Sequence, residues 1–94
     1  MKDVYITSAK RTAVGTLGKS LKNINAATLG SAVITNNVDE LKIKKSDVDE
    51  VIMGQVLTGS AGQNPARQAS IKSGIPKEKP AYIVNQVCGS GIRT

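Results

Sequence analysis

Apolar residues fall into two rhythms along this chain. Ala27, Gly30, Ile34, Val38 and Leu41 recur at spacings of 3, 4, 4 and 3. That spacing lines one face of an α-helix, which Leu29 and Val33 widen. Asn25 stands where the N-cap of such a helix belongs. Its β-branched residues and the Asn36-Asn37 pair lower its intrinsic propensity, so packing has to hold it. Elsewhere the apolar residues gather in short runs. Val4-Tyr5-Ile6-Thr7 is β-branched and aromatic and predicts a first strand. Val51-Ile52-Met53-Gly54-Gln55-Val56-Leu57 is nearly continuous, as in a parallel strand covered on both faces. Residues 81–87 form a third strand-like run, opened by Ala81-Tyr82-Ile83-Val84.

Polar residues and breakers set the connections. Residues 8–23 contain Gly15, Gly18, Ser20 and several cations and predict a long loop. Lys44-Lys45-Ser46-Asp47-Val48-Asp49 predicts a short turn that Ser46 is able to cap. Thr58 to Gln63, with Gly59 and Gly62, is a loop. Asn64-Pro65 then supplies an N-cap followed by proline at the first helical position. Gly74 suits the left-handed position at that helix's C-terminal end. Gly89-Ser90-Gly91 opens a further helix, near whose start the sequence stops. The order β-α-β-α-β is an α/β pattern with helical crossovers. Repeats and low-complexity segments are not evident.

Composition narrows the class. Ninety-four residues make one domain or part of one. A chain of this length buries only about 60–65% of its unfolded surface. The apolar fraction is 39% and the only aromatics are Tyr5 and Tyr82, so Val, Ile, Leu and Ala must fill the core. No run approaches a membrane span, and no signal core or Arg/Ser-rich presequence is seen, so a cytoplasmic protein with no membrane partner is expected. Thirteen Lys and Arg against seven Asp and Glu give a net charge of +6. The lysines are scattered and no aromatics interleave with them for base stacking, which argues against nucleic acid as a partner. One cysteine permits neither an intrachain disulfide nor a cysteine-rich metal site, and no metal is expected.

That cysteine carries the candidate chemistry. Cys88 lies in Asn85-Gln86-Val87-Cys88-Gly89-Ser90-Gly91, between a strand and a glycine-containing helix start. Reactive groups in open α/β sheets gather at the carboxyl ends of strands. A helix beginning near Ser90 is expected to aim free N–H groups at the sulfur, and Gly89 and Gly91 to permit the sharp turn. A nucleophile on such an elbow is one reading, and an inert buried cysteine is the other. A phosphatase-type Cys88–Arg93 loop is disfavoured, because only four residues separate the pair where that cradle needs five. A glycine-rich phosphate loop is supported by Gly89 and Gly91 alone, a weak signal. The chain contains no histidine, the usual base for a cysteine nucleophile.

Four segments in register resemble the thiolases, and within them the branch that moves acetyl groups. Lys10-Arg11-Thr12-Ala13-Val14-Gly15 is similar to an early Arg-Thr-x-x-Gly segment, with Ala13 where proline is usual. Asp47-Val48-Asp49-Glu50-Val51-Ile52-Met53-Gly54-Gln55-Val56 resembles the approach to and course of the second strand. Gly62-Gln63-Asn64-Pro65-Ala66-Arg67-Gln68-Ala69 matches a loop and helix start. Asn85 to Gly91 matches the nucleophile motif, with Gln86 in place of the more usual lysine.

The resemblance implies an incomplete N-terminal thiolase domain over residues 1–94, with a mixed sheet in the whole domain. It implies a Claisen-type exchange on coenzyme A thioesters, through an acyl thioester on Cys88, whose backbone N–H helps hold an oxyanion. Acetyl-CoA, acetoacetyl-CoA and coenzyme A are then substrates and products, and no separate cofactor is expected. The activating histidine, a second cysteine and most coenzyme A contacts are expected from later parts of the family's chain. The 94 residues alone are therefore expected to be inactive. A homo-oligomer, dimer or tetramer, is expected, with residues 81–87 at a subunit interface. The alternatives are a degradative 3-ketoacyl thiolase, another condensing enzyme, or a non-catalytic α/β binding module.

Overall fold

Asn25 begins the first helix as its sequence predicts. Its Oδ1 accepts the Thr28 N–H at 2.8 Å, satisfying one of the helix's free donors. The structure, a computed structural model, describes residues 2–94, and Met1 lies outside the described residues. Helix α1 covers Ala26–Leu41 and ends at Lys42, which takes the left-handed conformation. A single 3-10 turn, Lys45–Asp47, follows. Its cap is Asp47 rather than Ser46: Asp47 Oδ2 accepts the Lys44 N–H at 2.9 Å. A carboxylate at the third position reaches back over the turn, which the Ser46 side chain does not do.

Strand β1, Val51–Gly54, lies beside strand β2, Ala81–Val84, and helix α2, Pro65–Lys72, connects them. The strands are parallel, with Val51 opposite Ala81 and Gly54 opposite Val84. Both are shorter than the apolar runs that announce them. The bond from Gln55 N–H to Val84 O, 3.1 Å, is the last rung. Beyond it the chain turns away on both strands, so Val56, Leu57 and Val87 are not ladder residues. A four-residue helix, α3, Ser90–Arg93, follows the second turn.

Buried Val38, Val51 and Ile75 form the core, with Ile34, Val48, Met53 and Ala81 packed around them. Complete burial of an isoleucine such as Ile75 contributes about 1.5–3 kcal/mol. Helices α1 and α2 approach closely because their facing residues are small. Gly30 of α1 faces Ala69 of α2 and Ser31 faces Ser73, and Ala27, Ala66, Ala69 and Ser73 are all buried. Ser73 Oγ donates to Ala69 O at 2.7 Å and stands 3.2 Å from Ser31 Oγ on α1. Gly74 adopts φ +79, as its place after α2 requires, and the Lys45 side chain lies across it.

The first predicted strand does not form. Residues 4–7 have no ladder partner among the described residues, and Val4 and Ile6 are 95% and 93% exposed. A strand needs a neighbour for its N–H and C=O groups and a face to bury, and here residues 4–7 have neither. The following segment is tied to α1 instead. Lys10 Nζ is 2.9 Å from Glu40 Oε2, and Ser8 Oγ stands 2.7 Å from Asn37 Oδ1 and 3.1 Å from Glu40 Oε2. No helix among the described residues is long and apolar enough to cross a membrane.

Candidate active site around Cys88

Strand β2 ends at Val84, and the next four residues turn sharply to present Cys88 before α3 begins. Its side chain is exposed. A groove of about 460 Å³ between α1 and β1, lined by Leu29, Gly30, Val33, Ile34 and Met53, does not include it. Cys88 is therefore neither the buried, inert cysteine of the bland reading nor enclosed by walls from these residues.

The turn itself is made by Val87. Its φ is +51, a region that β-branched residues avoid at a cost of about 1–3 kcal/mol. This corrects the expectation that Gly89 and Gly91 supply the sharp bend. Gly89 has φ −88, and neither glycine adopts a positive φ. The sequence pattern pointed to glycine because glycine is the usual occupant of such positions. Here side-chain hydrogen bonds hold a valine there.

Those bonds come from Asn85 and Ser90. Asn85 Oδ1 accepts the Val87 N–H at 2.9 Å, while its Nδ2 donates to Val56 O at 3.3 Å, linking the turn to the chain leaving β1. Ser90 Oγ accepts the Gln86 N–H at 2.9 Å and donates to Val87 O at 2.7 Å. The Gly89 N–H reaches Gln86 O at 2.9 Å, and the Ser90 N–H reaches Val87 O at 3.2 Å. Two of the N–H groups expected to face the sulfur are thus consumed in closing the turn. The Gln86 side chain takes part in none of these bonds.

Ser90 and Val87 are the residues that sequence reasoning missed. A small polar residue two positions after the cysteine was visible, but its backward reach is a property of the folded turn. Ser90 is buried against β1. A methyl group added at Gly54 would stand 3.0 Å from Ser90 Cβ and from its carbonyl carbon, so any side chain at this strand end presses on Ser90 and shifts it by a few tenths of an ångström.

The segment 62–69 acts at the other end of β2. Asn64, at φ +43, accepts the Arg67 N–H at 3.1 Å as the N-cap of α2 and donates from Nδ2 to Ala81 O at 2.9 Å. The Arg67 guanidinium donates to Lys79 O at 2.9 Å and to Lys77 O at 2.6 Å. Gln68 Nε2 donates to Ala61 O and to Gln63 O, both at 2.8 Å. None of these groups bonds to residues 85–91. Their effect on Cys88 runs through the start of the strand that carries it. Among the described residues, the Arg11 side chain bonds only to the neighbouring Thr12 carbonyl, at 3.0 Å.

Comparison with known proteins gives a consistent result. The family model for the thiolase N-terminal domain matches residues 4–94. Acetyl-CoA acetyltransferases of Cupriavidus necator and Pseudomonas aeruginosa are 55% and 53% identical over 93 residues, covering 99% of this chain and 24% of each relative. An acetyl-CoA acetyltransferase of Escherichia coli is 48% identical over 94 residues, 100% of this chain and 24% of the relative. The chain thus spans about a quarter of the length of these relatives. Among solved structures, a thiolase from Ascaris suum in complex with coenzyme A superposes with a TM-score of 0.78 at 36% identity. That match covers 81% of this chain and 20% of the other.

Proposed function

Because this chain belongs to the thiolase family, as a sequence of its N-terminal domain, we propose that it carries the nucleophile of an acetyl-CoA acetyltransferase. The observation that carries the reading is the placement of Cys88, exposed on a hydrogen-bonded turn directly after a parallel strand. The names of the relatives and the coenzyme A bound to the Ascaris suum thiolase support acetyl-CoA and acetoacetyl-CoA as the substrate class.

The chemistry is an exchange of thioesters followed by carbon–carbon bond formation. The Cys88 thiolate attacks the carbonyl carbon of acetyl-CoA. Negative charge develops on the carbonyl oxygen, and the Cys88 backbone N–H is one donor toward it. The bond to sulfur of coenzyme A breaks, coenzyme A leaves and takes up a proton, and the acetyl group remains on Sγ. A second acetyl-CoA loses a proton from its α-carbon to a base. The resulting carbanion attacks the acetyl carbonyl, Sγ departs as thiolate, and acetoacetyl-CoA is released. In the reverse direction coenzyme A cleaves acetoacetyl-CoA by the same steps.

This route needs a base for the thiol and an acid–base group for the α-carbon. Histidine is absent from the 94 residues and Cys88 is their only cysteine. The proposal therefore assigns both groups to residues outside this stretch. The unpaired outer edge of β2 is consistent with a second copy of the protein pairing there, in a cytoplasmic homo-oligomer.

In the full-length protein, Cys88→Ala is expected to lower acetoacetyl-CoA cleavage by at least about a thousandfold, as loss of a covalent nucleophile does. Turnover in Cys88→Ala within about tenfold of the parent, on the same general scale, would remove Cys88 from the mechanism.

A further inference from the structure

We propose that Ser90 is a positioning residue for Cys88: its hydroxyl, backed by Gly54, holds Val87 in the left-handed conformation that sets where the Cys88 sulfur stands. The proposal rests on Cys88 being the acyl acceptor. It gives Ser90, a member of the nucleophile motif, a physical role that the motif alone does not state.

Two peptide planes flank Val87, and rotating either one moves Cys88 relative to β2. The first plane is held at both ends, by Asn85 Oδ1 on the Val87 N–H and by the Gly89 N–H on Gln86 O. The second is held at its carbonyl by Ser90, through Oγ at 2.7 Å and the backbone N–H at 3.2 Å. The same hydroxyl also accepts the Gln86 N–H, so one side chain spans the turn from both sides of Val87. Valine does not stay at φ +51 without such restraint.

An ordinary role for Ser90 is a helix cap. A capping hydroxyl accepts N–H groups from the first turn ahead of it. Ser90 Oγ bonds backward instead, to Gln86 and Val87, and the cap of α3 is Gly89, without a side-chain bond. Gly54 gives a second, independent constraint. It lies at the end of β1, opposite Val84, and a methyl group there would press on Ser90 from 3.0 Å. The sheet that carries the cysteine strand therefore also fixes the depth of the hydroxyl that shapes the turn.

The test uses the full-length protein and three substitutions, with thermal unfolding to confirm that each variant folds. The readouts are the φ of Val87 in a crystal structure, single-turnover acetylation of Cys88 by acetyl-CoA, and kcat with KM. In Ser90→Ala, Val87 is expected to leave positive φ. Acetylation should fall by about 10–100-fold, as for a misplaced reacting atom, with KM changed by less than about twofold. Gly54→Ala, which pushes Ser90 without removing its hydroxyl, should slow acetylation in the same sense. Glycine accepts φ +51 without strain, so in a Val87→Gly background Ser90→Ala should cost no more than about threefold. Unchanged acetylation in Ser90→Ala overturns the proposal. So does a Val87 that keeps its φ there, or an equal loss in the two backgrounds. A parent protein that takes no acetyl group on Cys88 would instead refute the function, and the φ of Val87 in Ser90→Ala would still decide the positioning.

Discussion

Asn64 shows how one side chain can serve two elements. Its Oδ1 caps α2 while its Nδ2 anchors the first carbonyl of β2. Asn64→Ala removes both bonds and also leaves alanine at φ +43, where asparagine is better tolerated. A loss of about 1–2 kcal/mol is expected in thermal or denaturant unfolding of the full-length protein, at the upper end of N-cap effects. The neighbouring Gln63 contributes its backbone carbonyl rather than its side chain. Gln63→Ala should therefore stay within about 0.5 kcal/mol of the parent, as uninvolved surface substitutions do. An equal loss in the two variants would contradict this division of labour. Asparagine before proline was legible as a cap in the sequence. Its second bond was not, because Ala81 is distant in sequence and becomes a neighbour only when α2 lies on the sheet.

Elements with local signals were readable, and those that need a partner were not. Helix α1 shows an apolar period and a cap, and α2 shows Asn-Pro at its start and glycine after its end. Both form where those signals stand. The two strands were visible as apolar runs, but their ends depend on where the ladder stops, and each run overshoots its strand. Residues 4–7 have strand composition yet remain unpaired, since β propensity describes a fit to a neighbour rather than a preference of the isolated backbone. What holds the adjoining segment to α1 is largely electrostatic. The Lys10 ammonium, by hydrogen bond and charge, and the Ser8 hydroxyl hold the Glu40 carboxyl below its ordinary range. A depressed carboxyl favours the tethered state above the ordinary glutamate range and loses that effect as pH falls through its own lower value. The group is exposed, so the effect is small and screened by salt. An NMR titration of the Glu40 side chain, assigned with Glu40→Gln, should give a midpoint below that of ordinary glutamate and should move upward in Lys10→Ala. An ordinary midpoint, unmoved by that substitution, would contradict the tether.

At the scale of the whole molecule, this stretch is a strand-and-turn platform with Cys88 on an open surface. Among the described residues the sheet has two strands and two unpaired edges, the groove between α1 and β1 lies away from the cysteine, and apolar residues such as Val4, Ile6 and Leu57 face outward. Such surfaces suit a piece that is covered by further protein, consistent with a chain spanning about a quarter of its relatives' length. The cysteine and its strand were legible because strand, cysteine and glycines are adjacent in sequence. The conformational cost at Val87 and its restraint by Ser90 arise only from the folded turn. The central claim is that Cys88 takes up the acetyl group as a thioester. Its most direct test is to mix the full-length protein with acetyl-CoA, quench in acid and map the peptides by mass spectrometry. The account predicts one added acetyl group on the peptide containing Cys88, removed when coenzyme A is supplied before the quench. An acetyl group on another residue, or none on that peptide while turnover proceeds, would contradict it.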